Sequence, residues 1–189
     1  MKAKGVRERI YLEEKELNEI EIDILNRRHV ERYMLLRQWL WGNVIDVSCG
    51  CGYGTYLASK NPDVKKITGI DISWDAIKWA NKYFTNDKCK FKQSDITYYN
   101  GKADVMISIE TIEHLENPKI LNDLAERLKI KEIYISYPSK KTTHYNKHHY
   151  RDFIDDEILR IFYNYKLINV VDLHKEVRIL KLERYVPSI

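Results

Sequence analysis

Three glycines at alternate positions, Gly50, Gly52 and Gly54, stand directly behind a short apolar run, Asn43–Val47. Glycine admits positive φ and lets backbone approach a ligand closely. The run therefore reads as a buried strand that ends in a tight loop. Downstream, strand-like and helix-like stretches alternate. Lys66–Ile72, Cys89–Gln93, Ala103–Ile109 and Ile133–Tyr137 read as strands. Between them, a segment through Leu57 and Ala58, then Trp74–Phe84 and Pro118–Leu128, read as helices. Pro118 suits a first helical turn, where a missing N–H costs nothing. After a polar stretch over 139–150 comes a helix, Asp155–Tyr163. Lys166–Leu173 and Val177–Tyr185 then flank a short turn, His174-Lys175-Glu176, and predict an antiparallel hairpin. Upstream, Val30, Tyr33, Met34, Leu36 and Leu40 recur at helical spacing over 27–40, and a second helical pattern covers 7–25. This alternation predicts an α/β, doubly wound, mostly parallel seven-stranded sheet, with one antiparallel strand from the C-terminal hairpin.

In such sheets a ligand binds beyond the carboxyl ends of the strands, where the strand order reverses. The first strand ends at Val47–Ser48, where the glycines begin. A dinucleotide-binding loop would place its third glycine at position 55, which is Thr55, and no Gly-Lys-Ser/Thr phosphate loop is present. Three acids fall in register with three strands. Asp46 precedes the loop, Asp71 ends the second strand 17 residues after Gly54, and Asp95 follows the third. An acid at the place of Asp71 can accept both hydroxyls of a ribose.

The length of 189 residues fits one domain, 1–189, with a helical segment over 1–42 covering a core of 43–189. No apolar run approaches the ~20 residues of a membrane helix, and no secretory leader pattern is present. The three cysteines, Cys49, Cys51 and Cys89, make no disulfide framework, so the expected setting is cytoplasmic, with no membrane partner. Net charge is only +4, but it is uneven: acids crowd the N-terminal segment, whereas Lys140, Lys141, Lys147 and Arg151 make a later stretch basic.

The segment VIDVSCGCGYGTYLA resembles the first motif of the class I S-adenosylmethionine-dependent methyltransferases. ITGIDIS, FKQSDI and ADVMISIETIEHL are similar to the second, third and fourth motifs, and YISYPS to the fifth strand. Ser48 stands where that family usually has its first loop glycine. RHVERYMLLRQWLWG resembles a His-x-x-Arg-Tyr helix, and NKHHYRDFIDDEI resembles an Asn-Pro-x-His-x-x-Glu-Phe segment, both of a subgroup acting on sugars and other small hydroxylated acceptors. The resemblance implies a Rossmann-like fold and S-adenosylmethionine as cofactor. It assigns cofactor contacts to Tyr33, Asp46, Ser48, Gly50, Gly52, Tyr53, Asp71, Ile72, Asp95, Ile96 and Glu110. Tyr33 stays open between core packing and a lid, and Tyr53 between a cofactor contact and a brace for its helix.

On the acceptor side, His114 and His149 are the expected catalytic bases. A helix after the fourth strand would place Glu110, Glu113 and His114 on one face, where two carboxylates and an imidazole are a candidate site for Mg2+. The same pattern resembles metal sites in ubiquinone-pathway O-methyltransferases and in small-RNA ribose methyltransferases. A zinc site is not expected, because Cys49 and Cys51 belong to the glycine loop. The chain has no Asn/Asp-Pro-Pro-Tyr and no Pro-Cys, which argues against methylation of DNA bases. O-methylation of a small hydroxylated acceptor is the leading expectation. The alternatives are metal-dependent methylation of an RNA ribose, or a module that holds the cofactor without catalysis. Oligomeric state is not legible.

Overall fold

A computed structural model describes residues 10–12 and 24–185. The helix expected over 7–25 lies largely outside the described residues, and Ile10, Tyr11 and Leu12 are not helical. The described chain runs α1 (Ile24–Leu36), β1 (Gly42–Val47), α2 (Tyr53–Ser59), β2 (Val64–Asp71), α3 (Trp74–Tyr83), β3 (Cys89–Gln93), β4 (Val105–Ser108), α4 (Lys119–Leu128), β5 (Glu132–Pro138), α5 (Asp155–Ile161), β6 (Tyr165–Leu173) and β7 (Val177–Arg184). The helix expected to reach residue 40 tightens into a 3-10 turn at Arg37–Trp39, which lets the buried Leu36 and Leu40 face the same core.

All seven strands form one sheet in the order β3-β2-β1-β4-β5-β7-β6. The pairs β1–β2, β2–β3, β1–β4 and β4–β5 are parallel. β7 is antiparallel to both neighbours and is the single reversed strand that the hairpin predicted. Order reverses at β1: the chain builds outward through β2 and β3, then returns to β1's other side with β4.

Alternate side chains on each strand feed two cores. Val44, Val105 and Ile107 face the layer that holds α1, α2 and α3. Ile45, Val47 and Met106 face the layer with α4 and α5. Each such buried aliphatic chain stabilises the fold by roughly 1.5–3 kcal/mol. Helix α3 starts at Ser73, whose hydroxyl accepts from the Ala76 N–H, a common N-cap arrangement.

The rims of the sheet differ from its centre. β3 is five residues long, with Lys90 and Lys92 exposed. β6 shifts register between Leu167 and Asn169, and Asn169 turns its side-chain oxygen onto the Val170 N–H at 2.9 Å.

Candidate active site

The carboxyl ends of β1 to β4 gather at one edge of the sheet. There the loop after β1 turns through three left-handed residues, Ser48 (φ 59°), Gly50 (φ 55°) and Gly52 (φ 89°). For Ser48 this conformation carries a strain of roughly 1–2 kcal/mol, which explains why glycine is the usual residue there in the family it resembles. A β-carbon on Gly52 would lie 2.6 Å from that of Ala80 and 2.8 Å from the Phe91 ring, so this glycine lets the loop press onto the sheet. Gly50 is different: among the described residues, a β-carbon there would meet nothing within 4 Å.

The Gly50 N–H donates to Asp71 at 3.0 Å, and the Ser73 N–H donates to the same carboxylate at 2.8 Å. Asp71, at the end of β2, thus ties the loop to the next strand. Gly50 and this acid are the residues that could hold a nucleoside, with its ribose diol toward Asp71. Ile72 is 61% exposed at this rim. Beyond it, Ile96 is buried and Asp95 is half-buried, accepting from the Thr97 N–H at 2.7 Å.

Tyr33 lies under α1, buried on top of the loop. A β-carbon on Gly54 would come within 2.2 Å of the Tyr33 ring. The third glycine therefore makes room for the helix, and Tyr33 packs in the core above the loop. Gly54→Ala is expected to cost about 1–3 kcal/mol by overpacking, and less in a Tyr33→Leu background. A double-mutant cycle from denaturant unfolding checks this, and strictly additive costs would show that the two side chains do not meet. Tyr53 sits beside Tyr33 at a 5.8 Å ring separation, also buried.

Asp46 is fully buried beneath these rings, accepting from Thr55 Oγ1 at 2.6 Å and from the Tyr33 hydroxyl at 3.4 Å. Burial raises its pKa from 3.8 to about 7, against the lowering effect of those two hydrogen bonds. Between those values the folded state holds a proton that the unfolded chain has lost, so stability falls as pH rises. Over that window the loss approaches ~4 kcal/mol. Urea unfolding at a series of pH values is expected to show this decline. Asp46→Asn should remove its share, and an unchanged slope would assign the decline elsewhere.

The fourth strand behaves differently from the expectation. Glu110, Glu113 and His114 do not share a helical face, because the only helix there is a 3-10 turn over Ile112–His114. Glu110 precedes it in a left-handed conformation, φ 49°. Ser136 on β5 braces Glu110 twice: its hydroxyl accepts from the Glu110 N–H at 2.9 Å and donates to Glu110 Oε1 at 2.8 Å. The other carboxylate oxygen lies 3.5 Å from Arg32 of α1. Arg32 is itself buried, with its Nε unpartnered, and donates to Nδ1 of His29 at 2.6 Å. Burial, and secondarily Arg32, depress the His29 pKa to about 3, so this imidazole is neutral and accepting. The sequence marked His29 and Arg32 through the His-x-x-Arg-Tyr resemblance and their i, i+3 spacing, but assigned Arg32 no partner.

Glu113, His114 and His149 come together instead, with one ligand-type atom from each lying within 4.8 Å of the others. The His114 and His149 rings meet edge to face at 4.6 Å. Glu113 is only 1% exposed, and neither carboxylate oxygen has a hydrogen-bond partner. Burial, followed by the nearby Glu110 charge, pushes its pKa well above the usual carboxylate range. His114 Nδ1 lies 3.1 Å from the His148 carbonyl, which in the neutral ring puts the proton on Nδ1 and the lone pair on Nε2. His149 is more committed. Its Nδ1 meets Thr142 Oγ1 at 2.6 Å, and its Nε2 accepts from the Asn146 amide at 2.8 Å. The Asn146 oxygen is occupied by the His148 N–H, which fixes that amide's orientation. Burial, with His114 next, lowers the His149 pKa to about 4.

The family model for a methyltransferase domain matches residues 42–176 of this chain. The chain belongs to that family. The sheet that carries its site is that of the class I S-adenosylmethionine-dependent methyltransferases. Magnesium protoporphyrin IX methyltransferase from Synechocystis PCC 6803, solved with bound S-adenosylhomocysteine, superposes with a TM-score of 0.73 over 90% of this chain and 92% of that one, at 16% identity. That likeness is one of fold. Among curated proteins, the mitochondrial ubiquinone biosynthesis O-methyltransferase of Dictyostelium discoideum is 26% identical over 164 residues, covering 69% of this chain and 51% of that protein. A phosphoethanolamine N-methyltransferase of Triticum aestivum is 34% identical over 83 residues, 41% of this chain and 16% of the relative. The chain thus spans about half or less of the length of these curated relatives. Among the described residues, no helix is long and apolar enough to cross a membrane.

Proposed function

We propose that this methyltransferase moves a methyl group from S-adenosylmethionine to a hydroxyl of a small, sugar-like or similarly hydroxylated acceptor in the cytoplasm, with residues 1–189 acting as one unit. The observation that carries the reading is His114: its Nδ1 is held by a carbonyl, its Nε2 lone pair is available, and it stands beyond β4 at the same sheet edge as the glycine loop. S-adenosylmethionine, when bound, supplies an electrophilic methyl on a sulfonium. Asp71 and the Gly50 backbone orient the nucleoside end, with Tyr53, Ser48, Ile72, Asp95, Ile96 and Glu110 around it, Asp46 buried beneath, and Tyr33 and Gly52 packed in the core behind the loop. His114 Nε2 takes the acceptor's proton as the oxygen attacks. His149 and its hydrogen bonds to Thr142 and Asn146 hold the loop that presents the His148 carbonyl to His114.

The residues also fit a divalent cation such as Mg2+. The two buried oxygens of Glu113 have no hydrogen-bond partner and His114 offers a ring nitrogen beside them, whereas His149 would have to release the Asn146 amide to join them. A nitrogen donor suits zinc better than magnesium, which prefers an all-oxygen shell. Glu110 is not part of this set, since Ser136 and Arg32 take its carboxylate.

A second reading, a ribose hydroxyl of single-stranded RNA, is favoured by the loop after β5. Lys140, Lys141, Lys147 and Arg151 are exposed there beside exposed Tyr145 and Tyr150. Cations and aromatic rings together suit a strand's phosphates and bases. The test is transfer of labelled methyl to a panel of catechols, sugars and a ribo-oligonucleotide, each with and without chelator. Labelled small acceptors, insensitive to chelation, support the main reading. Labelled oligonucleotide lost on chelation supports the second. Tight S-adenosylhomocysteine binding with no transfer to any acceptor leaves a non-catalytic binding module.

A further inference from the structure

We propose that the turn between β6 and β7 is a clasp that holds α1 closed over the cofactor loop and lets it lift when the cofactor enters or leaves. This rests on the reading of the glycine loop as the cofactor site.

The two ends of α1 are held differently. Its C-terminal half is anchored by burial, through Tyr33 on Gly54 and Leu36 in the core. Nearer its start, Val30 packs against the core, while Arg28 and Glu31, both half-exposed, reach the β6–β7 turn through polar contacts. Arg28 pairs with Glu176, and Glu31 lies 2.9 Å from His174 Nε2. Both partners belong to one three-residue turn, 148 and 143 positions away in the chain. An ion pair as exposed as Arg28–Glu176 is weak and salt-sensitive, and the Glu31–His174 hydrogen bond beside it is equally open to solvent, so both suit a contact that must open rather than one that builds the fold.

The turn itself is shaped for presentation. His174 and Lys175 both have positive φ, 57° and 55°. Such turns favour Gly, Asn or Asp at these positions, and the chain uses none of them. The conformation sets His174 and Glu176 toward α1. The Glu176 carbonyl accepts from the Ser139 N–H at 2.8 Å, which fastens the turn to the end of β5. The clasp therefore has a fixed post, on the sheet, and a movable tongue, the first turns of α1.

Hydrogen exchange of α1 amides in the free protein, and stopped-flow dissociation of S-adenosylhomocysteine, test this together. Arg28→Glu and Glu176→Arg are each expected to raise both rates about three- to tenfold, and the double exchange should return them toward wild type. In the wild type, raising salt from about 0.05 M to about 0.5 M should speed both. In Arg28→Gln with Glu176→Gln, that salt effect should shrink. If a reversal variant folds poorly, the glutamine pair and the wild-type salt series still decide. Rates unmoved by charge reversal, or a double exchange as leaky as either single change, would overturn the clasp. If S-adenosylhomocysteine does not bind wild type at all, the cofactor reading fails, while exchange in α1 still judges the clasp.

Discussion

Replacing His114 with alanine is expected to slow methyl transfer by about 10²–10⁴-fold and leave S-adenosylhomocysteine affinity nearly unchanged. The split follows from geometry. His114 sits beyond β4 with its lone pair on Nε2, while the contacts assigned to the nucleoside, Glu110 apart, follow β1, β2 and β3. His149→Ala should cost less, because both of its ring nitrogens already serve Thr142 and Asn146. Single-turnover rates with saturating cofactor separate the two. A His114→Ala enzyme at wild-type speed would remove it as the base. If a cation bound by Glu113 carries the chemistry, chelation should stop the wild-type enzyme and Glu113→Gln should match the chelated rate.

Asp71→Ala is expected to weaken S-adenosylhomocysteine binding by roughly ten- to a hundredfold, or about 1.5–3 kcal/mol. The structure adds a second effect. The same carboxylate accepts the N–H groups of Gly50 and Ser73, so its loss also loosens the loop. Asp71→Asn keeps one oxygen acceptor, and it should fall between wild type and alanine in both affinity and melting temperature. Calorimetry well below the melting transition reads the affinity alone. An unchanged constant in folded Asp71→Ala would place the ribose contact on another residue.

The fold was legible because its signals are local. Alternation of short apolar runs with helical patterns marked every strand of the sheet, and the polar His174-Lys175-Glu176 stretch marked the reversing hairpin. The loop was legible through glycine, since few other residues tolerate its dihedrals. What escaped was tertiary. Glu110 looked like one corner of an E-x-x-E-H face, yet Ser136 on the neighbouring strand holds it in a left-handed bend before the helix begins. No pattern near Glu110 announces a serine 26 residues away. His149 joined Glu113 and His114 by the fold of a polar loop with no periodicity to read. Likewise, Gly54 resembled one more ligand-facing glycine, and only the packed structure shows the Tyr33 ring in the space where its side chain would be.

The two rims of the sheet bear on how the molecule behaves in a crowded solution. A strand with its outer amides free is a template on which another chain can add, and repeated addition is the start of a fibril. Here one rim offers only five residues, two of them lysines facing outward. The other is kinked by the extra residue at Ile168, and next to the kink the Val170 amide is already engaged by Asn169. A stray strand would meet like charge at β3 and a broken ladder at β6. The seven-stranded sheet is built to stop growing, and mutations that straighten β6 or free the Val170 amide would expose it to aggregation long before they disturbed the site at the carboxyl end of β1.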